Sequence, residues 1–400
     1  MRRISPSAEA ELLLTSIDVA SQPAEKTARI RQIVGRGLDW NSLVRRASAH
    51  RLVGLLSRTL EGEAGALGIP LEAFAALRLH RLSHAAYADR SISQLAVLMN
   101  DFHRAGVAAL ILKGPALSLQ AYGDIATRDF SDIDLLVRRS EVVAAADVLA
   151  RAGFRARTYD RNAFAAGFFR NTSDAFCSAD DACLIDLHWK IGDWYFPFGP
   201  DDNSLWTNLE KVHWQDYEFT TLGAADHLLL LCAHSAKHGW PNLASIADIA
   251  TLLNAHPELD PIALMDEATR LGFRRVFLVG MLMASKLARA PLTESIMAAI
   301  RSERGVVQLA QLFSTSLIDR SEPPTASAKW IAMLRTIGRP RDRLCLLLKL
   351  CLTPTGGDRA WLSLPPALYP FYYLIRPLRL VSIGIGAAAM RGRARRGVEN

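Results

Sequence analysis

The chain has 400 residues, 50% hydrophobic and 22% charged, which fits a globular protein of two or three packed units and excludes a disordered chain. Its formal charge of +7 is concentrated: from Arg376 onward six arginines stand against Glu399 alone, and the rest of the chain is close to balance. That distribution excludes a broad basic groove across the body, and no DNA partner is expected.

The cysteines, Cys177, Cys183, Cys232, Cys345 and Cys351, are odd in number and contain no Cys-x-x-Cys pair. This argues against a disulfide framework or a zinc ribbon and fits a reducing compartment. Met1-Arg2-Arg3 leads into a polar stretch rather than an apolar signal core, and no uncharged apolar run reaches about 18 residues. A cytoplasmic protein is expected.

Residues 1–106 read as a helical region. Leu12, Leu13, Leu14, Ile17 and Val19 form a first apolar cluster, and Ile30, Ile33 and Val34 a second that Gly35 and Gly37 stop. A further amphipathic stretch covers Leu52 to Leu60, and a long helix is predicted from Leu71 to Phe102, just after Pro70. His80, His84 and His103 in or near it read as solvated or partly buried helix residues.

At Ala105-Gly106 the period becomes strand-like, and a core region is expected over 107–222. Val107 to Leu112 has the all-apolar composition of a buried strand. Lys113-Gly114-Pro115 then opens a short helix that Tyr122-Gly123-Asp124 closes. Asp132-Ile133-Asp134 enters a second strand at Leu135-Leu136-Val137, and Ser140 is expected to cap a helix through Leu149. A third strand is predicted over Phe154 to Thr158, another near Asp174 to Ser178, and after an Asp180-Asp181 turn a strand over Ala182 to Ile191. The remainder, to about residue 221, reads as a loop rich in Trp, Pro and Asp.

Helical periodicity returns over 223–352, with segments at Ala225 to His238, Leu243 to Leu253, Pro261 to Leu271, Phe273 to Ala288 and from Leu292 on. Residues 353–400 begin as a Thr/Pro/Gly linker and end as a basic tail. Pro365, Pro366, Pro370 and Pro377 there argue against a long regular helix. The fold class is α+β and mostly helical, with a mixed-sheet core flanked by helical units.

The chemistry concentrates at Asp132 and Asp134. Two residues apart in a strand, their Cα atoms lie roughly 6.5 Å apart and their side chains share a face. Carboxylates this close repel unless a cation lies between them, and oxygen ligands suit Mg²⁺ or Mn²⁺. Asp186 alternates correctly to supply a third carboxylate, with His188 on its face. Lys113-Gly114 puts backbone N–H groups and a cation where a triphosphate can rest. Arg128, four residues before Asp132, either forks onto a phosphate or pairs with Asp124 or Asp129.

Leu112-Lys113-Gly114-Pro115-Ala116-Leu117, Tyr122, Asp124, Arg128 and Ser131-Asp132-Ile133-Asp134-Leu135-Leu136-Val137 resemble the signature of the uncharacterised nucleotidyltransferase family of the DNA polymerase β superfamily. Ile185-Asp186-Leu187-His188-Trp189 and Leu231-Cys232-Ala233-His234-Ser235-Ala236-Lys237-His238 match its pattern as well. The likeness runs over roughly residues 8–380, its specific motifs over 112–253. The superfamily's usual Gly-Ser pair is replaced here by Lys113-Gly114, as in related nucleotidyltransferase toxins.

The resemblance implies a polymerase β-like sheet and transfer of a nucleoside monophosphate from an NTP, with Mg²⁺ or Mn²⁺, to a hydroxyl of a small molecule, sugar or peptide, releasing pyrophosphate. Asp132 and Asp134 would hold both metals, and Asp186 would bind the catalytic one and help deprotonate the acceptor. His188 either orients Asp186 or touches the acceptor. His227, His234 and His238 share a helix face with Lys237. Without a glutamate general base or a further ligand, this face reads as a polar cluster on the nucleotide rather than a zinc site, with Lys237 reaching the β- and γ-phosphates.

Asp248 either pairs with His238 or faces solvent, and Trp240 stacks on a base or packs in the core. The alternatives for the whole chain are a toxin-like transferase acting on tRNA and a catalytically silent NTP-binding protein associated with a membrane. The aromatic, arginine-rich tail suits peripheral contact with the inner membrane face or with a partner.

Overall fold

The computed structural model describes residues 6–61, 67–161, 164, 172–181, 183–192, 204–320, 322, 325–337 and 340–383. The arginines at 391–396, much of the Trp/Pro/Asp loop and most of 161–171 lie outside the described residues.

Four short helices open the chain, α1 (Ala8–Ser16), α2 (Pro23–Gly35), α3 (Trp40–Ala49) and α4 (Val53–Glu61), and a 34-residue helix α5 (Leu71–Arg104) follows. Glu72 in the first turn of α5 and His103 and Arg104 in the last complement its dipole. Gly106, at φ +68°, stops it. Ile92, Leu95, Leu98 and Phe102 of α5 are buried at helical spacing, and they form the lid of the sheet's apolar core.

The sheet has seven strands in the order β3-β4-β5-β2-β1-β7-β6. The strands are β1 (Ala109–Ile111), β2 (Ile133–Val137), β3 (Arg155–Ala156), β4 (Ser173–Cys177), β5 (Leu184–His188), β6 (Leu209–Trp214) and β7 (Tyr217–Leu222). β2 runs antiparallel to β1 and parallel to β5. Alternation along β2 and β5 sends Ile133, Leu135, Ile185 and Leu187 into the core under α5 and, beyond the short helix α6 (Pro115–Leu117), α7 (Val142–Arg151). Asp134, Asp186 and His188 therefore point to the opposite face.

Three departures from the sequence reading have physical causes. Residues 209–222, expected to be loop, form the β6–β7 hairpin. Their charged and polar residues hide the strand period, because β6 is an edge strand that is half exposed. Ser140 does not cap α7; it lies in a 3₁₀ turn (Arg139–Glu141) that feeds the helix. Residues 372–383 are helical despite Pro377 at their sixth position, where it withholds one intrahelical backbone donor.

After the sheet come α8 (Ala224–Lys237), α9 (Ala244–Ala255), α10 (Pro261–Arg270), α11 (Arg274–Ala288), α12 (Glu294–Ser302), α13 (Val306–Ile318), α14 (Ala326–Thr336), α15 (Pro340–Leu352) and α16 (Gly356–Trp361). One hydrophobic cluster takes in Leu12, Ile33, Leu43 and Leu56 together with Leu231, Ile249, Phe277 and Leu317. The first four helices and α8 to α15 therefore share a core. Trp240 is buried within it, at van der Waals range of Gly280 and Phe313.

Polar ties reinforce this union. The buried His50 accepts from the Leu243 N–H at Nδ1 (3.3 Å), and its Nε2 lies 3.1 Å from the Arg320 carbonyl oxygen. That pair of partners demands the neutral Nε2–H tautomer. Burial pushes its pKa down to about 4.

Candidate active site

The sheet's open face carries the carboxylates. In the parallel pairing of β2 and β5, Asp134 is the Cα partner of Asp186 and Leu136 that of His188. Asp134 is 4% exposed, and such a carboxylate is stable only if paired. Lys113 Nζ lies 3.0 Å from its Oδ1, and His188 Nε2 lies 3.1 Å from the same oxygen and 3.2 Å from Asp186 Oδ2.

Burial works to raise the Asp134 pKa, but Lys113 and His188 hold it well below the carboxylate range. Burial likewise opposes the ionised form of Asp186, and His188 overcomes it. His188, desolvated yet bonded to both carboxylates, is pushed up to about 9. Asp132 is raised instead, first by burial and then by the charge of Asp134. Two carboxylates two residues apart are thus driven in opposite directions, a pattern typical of working sites.

Lys113 owes its position to Gly114, whose φ is +59° and whose added Cβ would meet the Asp132 carbonyl oxygen at 2.9 Å. Only glycine suits both the backbone and the gap. The loop before Asp132 is held from α5: His84 Nε2 bonds the Arg128 carbonyl (2.9 Å) and His80 Nε2 pairs with Asp129 (3.2 Å). His80 is half exposed and His84 buried, in keeping with solvated or partly buried helix residues, and both also fix this loop.

Arg128 takes neither carboxylate expected of it. Its Nε lies 3.0 Å and 3.1 Å from the two oxygens of Asp248, which also accepts from the Tyr122 hydroxyl (2.8 Å). Asp248 is buried rather than solvated. His227 is withdrawn from its helix neighbours: its Nδ1 meets the side-chain oxygen of Gln120 at 2.6 Å, and burial pushes its pKa down to about 3.

The convergence is in the lining of one cleft of about 390 Å³, a size that suits a small-molecule site. Lys113, Gly114, Arg128, Asp132, Asp134 and Asp186 face it from the sheet side, and His234, Lys237 and His238 from α8. The rings of His234 and His238 lie 4.6 Å apart. Arg51, from the α3–α4 turn, also lines the cleft and donates to Ser131 Oγ at 2.9 Å. Nothing in the sequence marks it, because its partner is eighty residues away.

Among the described residues, the group of three or more side chains able to hold a metal is Asp134, Asp186 and His188, with donor atoms within 4.8 Å of one another. Asp132 lines the same cleft but lies outside that group. Two carboxylates with a third at hand fit a hard divalent cation.

Compared with known families, residues 36–289, more than half of the chain, match the model of a family described as uncharacterised nucleotidyltransferase. The match takes in α3, α4, the sheet and α8 to α11. No curated protein and no solved structure matches the chain.

Proposed function

We propose, from the premise that the chain belongs to the uncharacterised nucleotidyltransferase family, that it moves a nucleoside monophosphate from an NTP to a hydroxyl of a small molecule, sugar or peptide. The observation that carries this reading is the pairing of Asp134 with Asp186 across β2 and β5, at the floor of a cleft that Lys113 and Lys237 share. The acceptor oxygen attacks the α-phosphorus, the bond to the β-phosphate oxygen breaks, and pyrophosphate leaves with that electron pair.

The acceptor's proton passes to a carboxylate at the cleft floor, Asp186 being the best exposed of the paired set. Asp132, Asp134 and Asp186 would hold Mg²⁺ or Mn²⁺, which supplies positive charge to the transferred phosphoryl group and the leaving oxygen. Lys113, Lys237 and the neighbouring His234 and His238 bind and orient the triphosphate. Arg128 stabilises the cleft wall through Asp248 and faces the same space.

The test is incubation with α-labelled NTPs, Mg²⁺ and cell extract. A labelled acceptor is expected from the native protein and not from Asp134→Asn. Equal labelling by both would overturn the carboxylate mechanism, and label in RNA would shift the acceptor to tRNA.

A further inference from the structure

Three of the basic side chains that line the cleft are paired with its own carboxylates. Lys113 bonds Asp134, Arg128 bonds Asp248, and His188 bonds Asp134 and Asp186. Arg51 differs from them. Its Nη2 donates to the neutral Ser131 Oγ at 2.9 Å, a bond that takes one of five guanidinium donors and forms no ion pair. The residue is exposed and lines the cleft.

Its backbone sets it apart as well. Arg51 has φ +56° at the end of α3, where its N–H bonds the Ser48 carbonyl at 3.0 Å and the Leu52 N–H bonds that of Ala47 at 2.9 Å. These two bonds make the helix stop whose left-handed residue is usually glycine, because a Cβ there crowds the backbone. Arginine in that place costs free energy that glycine does not, and strain of this kind collects at working sites. The turn is held from two sides. The His50 carbonyl accepts from the Ala244 N–H at 3.2 Å, at the start of α9. A Cβ added at Gly54 would meet the Thr127 carbonyl oxygen at 2.8 Å, so the first turn of α4 lies directly on the loop before Asp132.

The segment that Arg51 grips is also the one on which the Lys113-Gly114 turn rests. A Cβ added at Gly114 would meet the Asp132 carbonyl oxygen at 2.9 Å and the Phe130 ring at 3.7 Å. Burial and the charge of Asp134 raise the Asp132 carboxyl, and the charges of Lys113 and Arg51 both oppose that rise. We propose that Arg51 binds the terminal phosphates of the NTP, so that the amino-terminal helices supply part of the triphosphate site; this rests on the nucleotidyl-transfer reading above. A planar guanidinium takes phosphoryl oxygens in pairs. An anionic group on the acceptor is the poorer partner, because Arg51 abuts residues 130–132 beside the glycine turn rather than Asp186.

The full chain is titrated by calorimetry with the Mg²⁺ complexes of ATP, GTP, CTP and UTP, with the matching monophosphates and with magnesium pyrophosphate. Arg51→Gly should weaken binding of pyrophosphate and of whichever triphosphate the native protein takes by at least about tenfold, and change monophosphate affinity by less than about twofold. Its thermal melt should lie no lower than the native one, since glycine suits the left-handed position. Should Arg51→Gly melt below the native protein, Arg51→Asn, which also tolerates that backbone, is measured in its place with the same expectation. Equal triphosphate affinity in native and variant proteins overturns this assignment alone, as does a monophosphate loss as large as the triphosphate loss. A native protein that binds none of the four triphosphates overturns the nucleotidyl-transfer reading and this assignment with it.

Discussion

Asp134 and Asp186 stand opposite each other on parallel neighbouring strands, and a single nitrogen, His188 Nε2, lies within 3.2 Å of both. Three side chains from two strands thus share one charge balance, and Lys113 completes it from β1's end. A cation entering this group meets carboxylates already ionised. Asp134→Asn and Asp186→Asn are therefore expected to lower transfer by at least about a thousandfold, with NTP affinity in Mg²⁺ buffer falling far less. Single-turnover labelling together with calorimetric NTP titration checks both halves of that expectation.

Gly114→Ala should damage the same site without touching a charge. The backbone at φ +59° and the gap of 2.9 Å to the Asp132 carbonyl force either a shift of Asp132 or a flip that withdraws Lys113. Activity should fall about a hundredfold or more, with a destabilisation of about 1–3 kcal/mol in urea melts. Native activity in the alanine variant would show that the turn does not position Lys113.

The buried Arg128–Asp248 pair links the sheet's loop to α9, with Tyr122 as a second donor. Asp248→Ala leaves a buried guanidinium without its counter-charge and should cost about 3–5 kcal/mol, whereas Tyr122→Phe removes only the hydroxyl's hydrogen bond to Asp248 and should cost about 1 kcal/mol. Equal losses in the two variants, measured by chemical denaturation, would contradict the ordering argued from the contacts.

Acid should loosen the union of the first and last helices. His50 has a folded pKa of about 4 against 6.5 for the free side chain, so the unfolded chain binds more protons between those values. Stability contributed by neutral His50 is complete above pH 6.5 and is lost as pH falls toward 4. Between about pH 7.5 and about pH 5 this one residue accounts for roughly 2 kcal/mol, and His227, depressed to about 3, adds in the same direction. His50→Gln should flatten the pH dependence of urea midpoints. An unchanged slope would assign the effect to other groups.

Local pattern revealed the parts of the site that sequence neighbours define. The two-residue period placed Asp134, and Asp186 with His188, on strand faces, while Asp132 lies just before β2 rather than in it. The glycine after a buried strand located Lys113-Gly114. What stayed hidden was every relation that depends on long-range pairing: the Asp134–Asp186 register, the capture of Arg128 by Asp248 120 residues on, and Arg51 at the cleft. The β6–β7 hairpin was missed for another reason, since an exposed edge strand carries charges where a buried one carries an apolar run.

The core shared by Leu12, Ile33 and Leu43 with Leu231, Phe277 and Leu317 has a consequence for biosynthesis. Helices α1 to α4 pack on one another and on α5, but part of their apolar surface meets partners made some two hundred residues later. That part stays uncovered until then, whereas the sheet can assemble from a contiguous segment. High sequence separation of this kind slows folding and exposes sticky intermediates. Docking of α8 to α15 on α1 to α4 is therefore expected to be a late step of folding.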